Sequence, residues 1–244
     1  EKKKPGISRG NLIKHFLVVN AVSLNSVFHF NTYFYNMQNL FITHFKKAAI
    51  VTAITALFIF ICVLALGKIN FFLLLNKDLG KPADYFFEYW TYMGDGLIYI
   101  PLLILFIIYR KRFIPLLAAT FVISTIITHL FKDILIPNEP RPSKAIAATA
   151  QIHTVSGVEV HSIGSFPSGH TTTAFTVFLL GCLVTGKKWF LPVGFVAALL
   201  VGYSRIYLAQ HFPTDVGGGM IAAIITVWLS FLLQQRIESR NEKT

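Results

Sequence analysis

The sequence predicts an all-α protein: an integral membrane bundle of six transmembrane helices preceded by an interfacial helical segment. Three observations lead there. Hydrophobic residues make up 54% of the 244 positions and charged residues only 14%, with a mean hydropathy of +0.60, far from the soluble norm. Three runs, 48–66, 113–131 and 216–233, hold no acidic or basic residue apart from His129, and each is close to the roughly 20 residues that cross a bilayer. The lysines and arginines behind the net charge of +11 sit between these runs and not on one soluble module, which fits anionic lipid headgroups and argues against nucleic acid.

Residues 1–47 open on EKKKPGISRG, basic and loop-like, and continue with Leu, Val and Phe mixed among Asn, Ser, His and Tyr. That mixture is too polar to span. Asn20, Ser23 and Asn25 interrupt the apolar core that a signal peptide needs, so an interfacial, partly helical segment is expected. Residues 48–235 form the expected six-helix domain, in which shorter apolar runs at 97–109, 171–186 and 189–204 complete the three long ones by extending into their flanks. Residues 236–244 form a tail. Cys62 and Cys182 lie inside apolar runs without metal-like spacing and read as inert thiols.

Orientation follows from the connections. Lys46 and Lys47, the RKR at 110–112, Lys187 and Lys188, and Arg236, Arg240 and Lys243 all fall on one face of a six-span alternation, which the positive-inside rule makes cytoplasmic. The 67–94 connection, the 137–166 loop and the 205–215 turn then share the outer face. The last two, with the span ends beside them, carry Lys132, Arg141, Ser168, His170, Arg205, His211 and Asp215. Ionisable side chains at membrane depth are costly unless paired or used, so this set is a candidate site.

Lys132, Arg141 and Arg205 would repel one another unless an anion lay between them, and Asp215 is the only acid in the set. Phosphate fits: arginine offers a planar fork, lysine a point charge, and the stretch SFPSGHTTT supplies a helix start whose N–H groups face an anion. Gly169 allows close backbone approach. Two histidines in such a cradle permit two-step phosphoryl transfer, one attacking phosphorus and the other protonating the departing oxygen. Asp215, four residues after His211, is placed to accept one imidazole N–H and leave the other nitrogen as nucleophile. Pro213 puts the start of the sixth span beside it. Each piece has a plainer reading when taken alone: PSGH as a helix cap, Arg205 as an interfacial anchor, His211 with Asp215 as a satisfied pair.

The order and spacing of these residues resemble the type 2 phosphatidic acid phosphatase family. SRIYLAQHFPTD at 204–215 matches its Ser-Arg, five residues, His, three residues, Asp pattern, PSGH at 167–170 its second motif, and Lys132 with Arg141 and Pro142 its first. The first motif departs from the family, with eight residues between Lys132 and Arg141 where six are usual. The resemblance implies that His211 forms a phosphohistidine, that Asp215 orients it, and that His170 is the acid that later activates water. It further implies that Lys132, Arg141, Ser168, Gly169 and Arg205 bind phosphate, with no metal and no cofactor.

Other polar residues carry weaker signals. His129 is expected to pack in the bundle with a hydrogen bond; His153, Glu159 and His161 lack the spacing of a metal site and read as loop or substrate-contacting residues. Asp95, between Gly94 and Gly96, is expected to cap a turn, and the aromatic cluster at 85–93, with Glu88 and Trp90, to mark the membrane interface. The function expected is hydrolysis of a lipid phosphate or pyrophosphate: undecaprenyl pyrophosphate, phosphatidylglycerol phosphate, phosphatidate or a lipid A phosphate. The expected location is the inner (cell) membrane of a bacterium, with the site on the periplasmic or extracytoplasmic side and membrane lipids as partners. Transfer of the phosphate to another lipid, and a non-catalytic lipid-binding or transport role, remain as alternatives. A soluble vanadate-dependent haloperoxidase shares the motif set, and six apolar spans argue against it.

Overall fold

The computed structural model describes residues 42–146 and 150–241, so all of the expected interfacial segment except 42–47 lies outside the described residues. Among the described residues the regular structure is helical, with one isolated antiparallel bridge between Pro140 and Ile163. The helices are α1 (Ile42–Leu66), α2 (Lys68–Leu75), α3 (Lys81–Trp90), α4 (Tyr99–Tyr109), α5 (Ile114–His129), α6 (Pro142–Ile146), α7 (Gly169–Thr185), α8 (Phe190–Tyr207) and α9 (Pro213–Asn241).

Local chemistry sets their ends. Gly67 and Gly80, at φ 84° and 85°, stop the chain before α2 and α3, and Pro82 sits in the first turn of α3, where its missing N–H costs nothing. Ser168 caps α7, and Gly186 ends it in the left-handed conformation at φ 60°. Between α3 and α4 the chain runs through two 3₁₀ turns, Thr91–Gly94 and Gly96–Ile98, and bends by 60°. Asp95, extended at the hinge, accepts a hydrogen bond from the Leu97 N–H at 2.8 Å, the cap expected of it.

Among the described residues, four helical stretches are long and apolar enough to cross a membrane: Ile42–Leu66, Lys111–Leu135, Phe190–Tyr207 and Pro213–Arg240. The bent pair Lys81–Gly94 and Gly96–Tyr109 makes a fifth if it counts as one span. The sequence predicts a sixth at 171–186, and there α7 is apolar but has 17 residues, about 25 Å at 1.5 Å per residue against a hydrocarbon core of about 30 Å. The architecture is thus an all-helical integral membrane bundle with four to five candidate spans by length.

The short helix is the central one. α7 packs against α5, α8 and α9 and buries 11 of its 17 residues, whereas α1 turns Ile50, Ile54, Leu57, Phe58, Ile61 and Leu64 outward. Lipid tails are as apolar as these side chains, so close packing and not water exclusion must hold the interior seams. On the α7–α8 seam, Phe195 packs edge-on to Phe175 and Phe178 with centroids 6.2 and 5.9 Å apart. On the α7–α9 seam the device is a lack of side chain: a Cβ on Gly219 would lie 2.8 Å from the Ser168 carbonyl oxygen, so only glycine lets α9 touch the start of α7.

The two ends of the bundle differ. Arg112 Nε lies 2.7 Å from Glu238 Oε1, and Gln234 Nε2 donates to the Arg112 carbonyl at 3.1 Å, joining the basic 110–112 turn to the end of α9. With 29 residues, α9 is about 43 Å long, so Asp215 in its first turn is at the opposite end. Gly219→Ala should destabilise the protein by about 1–3 kcal/mol despite alanine's better helix propensity, because the obstructing atom is backbone. Gly96→Ala, which meets nothing within 4 Å, should leave the thermal midpoint in detergent unchanged; equal behaviour of the two variants would contradict the close approach.

Candidate active site

α8 ends in a Schellman cap that aims His211. The Ala209 N–H bonds the Ile206 carbonyl at 3.1 Å and the Gln210 N–H bonds the Arg205 carbonyl at 2.9 Å, with Ala209 left-handed at φ 54°. The His211 N–H reaches the same Arg205 carbonyl at 3.1 Å. The imidazole therefore leaves the chain directly after the cap, with its ring 2% exposed.

Asp215, 1% exposed, faces it from the first turn of α9. Its Oδ2 accepts hydrogen bonds from the Ser165 hydroxyl and, at 2.9 Å, from the Phe212 N–H. The same oxygen is 3.4 Å from His211 Nδ1, an approach that falls short of a hydrogen bond and leaves Nδ1 without a hydrogen-bond partner in the bundle. Burial pushes the His211 pKa down to about 3 despite the opposing pull of Asp215, and Arg141 and Arg205 push the same way as burial. The ring is therefore neutral at pH 7.

The PSGH loop is tied to this pair through the backbone: the Ser168 N–H donates to the Asp215 carbonyl at 3.0 Å. The Ser168 hydroxyl caps α7 by accepting from the Thr171 N–H at 3.3 Å and the Thr171 hydroxyl at 2.9 Å. The cap leaves the N–H groups of Gly169 and His170 in the first turn, which has no intrahelical acceptor. His170 Nε2 lies 3.9 Å from Asp95 Oδ2. A Cβ on Gly94 would be 2.6 Å from the His170 carbonyl oxygen, so the hinge between α3 and α4 also needs a glycine where it meets α7.

Cations close the cluster. Arg205 is buried at the end of α8; its Nη1 donates to the Thr91 hydroxyl at 2.7 Å, and its Nε is buried with no hydrogen-bond partner. Arg141 is held by acceptors along its edge: the Ile163 carbonyl at 2.9 Å, the Gln210 side chain and carbonyl at 3.1 and 3.2 Å, and the Gly164 carbonyl at 3.4 Å. Burial lowers its pKa, with Asp215 pulling the other way. Lys132 sits in a π-helical turn, Leu130–Leu135, that continues α5. The eight-residue spacer is taken up by that turn and by Asn138, left-handed at φ 62°. Lys132 and Arg141 line one cavity of about 700 Å³ with Asp133, Asn138, Ser162 and Ile163. All eight residues named from the sequence meet at one end of the bundle.

Four contributors were missed or underread. Ser165 and Gln210 adjoin the motifs but carry no spacing signal, Thr91 is hidden in an aromatic stretch, and Asp95 reads only as a cap. His129, expected inside the bundle, has a ring 67% exposed that bonds Asp133 at 2.9 Å, because the last turn of α5 turns it outward. His153 ties the 150–163 segment to α3 and α8: its Nε2 meets Asp84 at 3.0 Å, Asp84 accepts from the Tyr207 hydroxyl at 2.6 Å, and Asn76 binds the His153 backbone.

With this geometry in place, the relatives identify the class. The sequence pattern of the PAP2 superfamily matches residues 113–239, more than half of the chain, and the chain belongs to that family. It is 28% identical over 174 residues to an undecaprenyl-diphosphatase of Sulfolobus acidocaldarius, covering 70% of this chain and 79% of that protein. It is 38% identical over 94 residues to the undecaprenyl-diphosphatase BcrC of Bacillus subtilis, covering 38% of this chain and 44% of that one. Among solved structures, Aquifex aeolicus LpxE shares 33% identity at a TM-score of 0.56, over 66% of this chain and 92% of its own. A transmembrane PAP2 type phosphatidylglycerolphosphate phosphatase of Bacillus subtilis, at 22% identity, has the same fold, with a TM-score of 0.52 over 79% of this chain and 96% of its own.

One consequence concerns pH. The unfolded chain protonates His211 near 6.5 whereas the folded chain resists down to about 3, so the unfolded state binds more protons in that window and stability should fall as pH is lowered through it. His211→Gln should flatten this dependence in thermal unfolding between pH 6.5 and 4; an unchanged slope would contradict a buried neutral ring.

Proposed function

We propose that the chain is a lipid phosphatase that hydrolyses a lipid phosphate or pyrophosphate through a phosphohistidine on His211. The observation that carries the reading is the buried His211–Asp215 pair on which Arg141, Arg205 and Lys132 converge, the Arg205 Nε buried and without a hydrogen-bond partner. Asp215 favours a proton on Nδ1, so Nε2 carries the lone pair that attacks phosphorus. Arg141, Arg205, Lys132, Ser168 and the Gly169 N–H receive the phosphoryl oxygens, whose negative charge they stabilise as the P–O bond to the lipid breaks. His170 gives its proton to the departing lipid oxygen, then takes one from water. The oxygen of that water attacks phosphorus as the P–N bond breaks, releasing phosphate and returning the electron pair to Nε2 of neutral His211.

Several features support the wider setting. If the bent α3–α4 pair and α7 each count as a span, the chain crosses six times and both termini of 48–235 lie on the basic, cytoplasmic side. The site then opens at the extracytoplasmic face of the inner (cell) membrane, where an anionic headgroup meets the cluster while its tail stays in lipid. Relatives named for undecaprenyl diphosphate, phosphatidylglycerophosphate and lipid A agree in one respect, a phosphate carried by a large apolar group, and we assign that substrate class to this chain. The chemistry assigned to these residues needs no metal.

Detergent-purified protein with a chelator present should release inorganic phosphate from at least one of these lipids. His211→Ala and His170→Ala should abolish release, and Arg205→Ala should lower kcat/KM by about a hundredfold, roughly 3 kcal/mol of transition-state stabilisation. Strict dependence on an added divalent ion, or full activity in His211→Ala, would overturn the mechanism; label passing to a lipid acceptor and not to water would make the enzyme a transferase.

A further inference from the structure

More donors crowd one oxygen of Asp215 than it can serve. A carboxylate oxygen offers about two lone pairs, and those of Oδ2 are taken by the Ser165 hydroxyl and, at 2.9 Å, by the Phe212 N–H. His211 Nδ1, 3.4 Å from the filled oxygen, is the donor left out. The Phe212 N–H cannot be withdrawn without opening α9, because Asp215 returns the contact through its own N–H to the Phe212 carbonyl at 3.0 Å, as in a capping box. Ser165 comes from a separate segment, and that segment is pinned without help from Asp215's side chain. Its N–H bonds the Glu139 carbonyl at 3.2 Å, the Glu139 carboxylate pairs with Lys68 at 2.7 Å, and Phe166 packs edge-on to Phe131 with centroids 5.6 Å apart. Ser165 is wholly buried.

The balance among these donors shifts during the reaction. While the imidazole is neutral, its N–H competes with the serine hydroxyl on similar terms. Once Nε2 bonds phosphorus the ring becomes cationic, and Nδ1–H turns into a charge-assisted donor of roughly twice the strength. We infer that Ser165 is a positioning residue that holds the Asp215 carboxylate off His211 in the resting site, so that the histidine–aspartate hydrogen bond closes only as phosphoryl transfer charges the ring. The inference rests on the phosphatase reading. A bond gained on the way to the transition state accelerates attack, whereas one already complete in the resting enzyme does not. Arg141 and Arg205 also face the ring and disfavour a positive charge on it, as does His170 from α7 when protonated, so Asp215 is the partner that must accept the charged N–H. A serine that only satisfies a buried carboxylate is the competing role.

NMR spectra of ring-labelled histidines in the detergent-solubilised protein follow the His211 titration with no substrate present. Ser165→Ala removes the competing donor, so His211 should bond Asp215 at rest and keep its proton to a pH about one unit higher than in the wild type. Ser165→Thr, which retains the hydroxyl, should titrate as the wild type does. Ser165→Cys, a weaker donor, should fall between the two and takes the place of the alanine variant should that one not fold. Ser230→Ala, which removes another buried hydroxyl of α9, bonded to the Thr226 carbonyl, should shift nothing. In phosphate release, Ser165→Ala should lower kcat roughly tenfold and leave KM unchanged, as expected of a residue that acts through Asp215 and not on the substrate. An unmoved His211 titration in the alanine and cysteine variants, an equal shift in Ser165→Thr, or a loss of activity carried by KM would overturn the inference. Wild-type protein that releases phosphate from no lipid would contradict the phosphatase reading instead, while the titration still decides whether Ser165 holds Asp215 off His211.

Discussion

The main chain and side chain of Asp215 tie together three of the stretches from which the site is built. Its carbonyl holds the Ser168 N–H, its carboxylate gathers the Ser165 hydroxyl and the Phe212 N–H, and the same oxygen faces His211. A buried carboxylate is tolerated only when its lone pairs are occupied and cations lie nearby, and both conditions hold here. Because one residue serves the α7 cap, the turn after α8 and the start of α9, the spacing of histidine and aspartate is a structural requirement as much as a chemical one.

Around that point the bundle sacrifices side chains for proximity. Gly219 brings α9 against the α7 cap, and Gly94 brings the α3–α4 hinge against His170. The hinge matters because it carries Thr91 to Arg205 and Asp95 toward His170. A straight helix through 81–109 would have continued as an ordinary span. Its break sets the wall on one side of the cluster.

Much of this was legible in the sequence, and the reasons for what was not are specific. Charge-free runs of bilayer length give helices because lipid leaves backbone groups no other partner, so the long spans could be read directly. The eight residues that meet at one end were readable because their types and intervals recur as motifs. The 60° bend was not, since Gly94, Asp95 and Gly96 look like any turn. The left-handed turn after α8 falls on Ala209, where a glycine would have announced it, and the π-turn at Leu130–Leu135 leaves no mark in hydrophobic periodicity. Ser165, Thr91 and Gln210 act through contacts between distant segments, which no local pattern encodes.

The phosphohistidine proposed on His211 is tested by trapping the adduct. Protein mixed with a lipid carrying radiolabelled phosphate and quenched in alkali within milliseconds should retain label that is stable to base, labile to acid and located by mass spectrometry on His211. Label absent from His211 while phosphate is released at the full rate would contradict the account, because water would then attack the lipid phosphate directly.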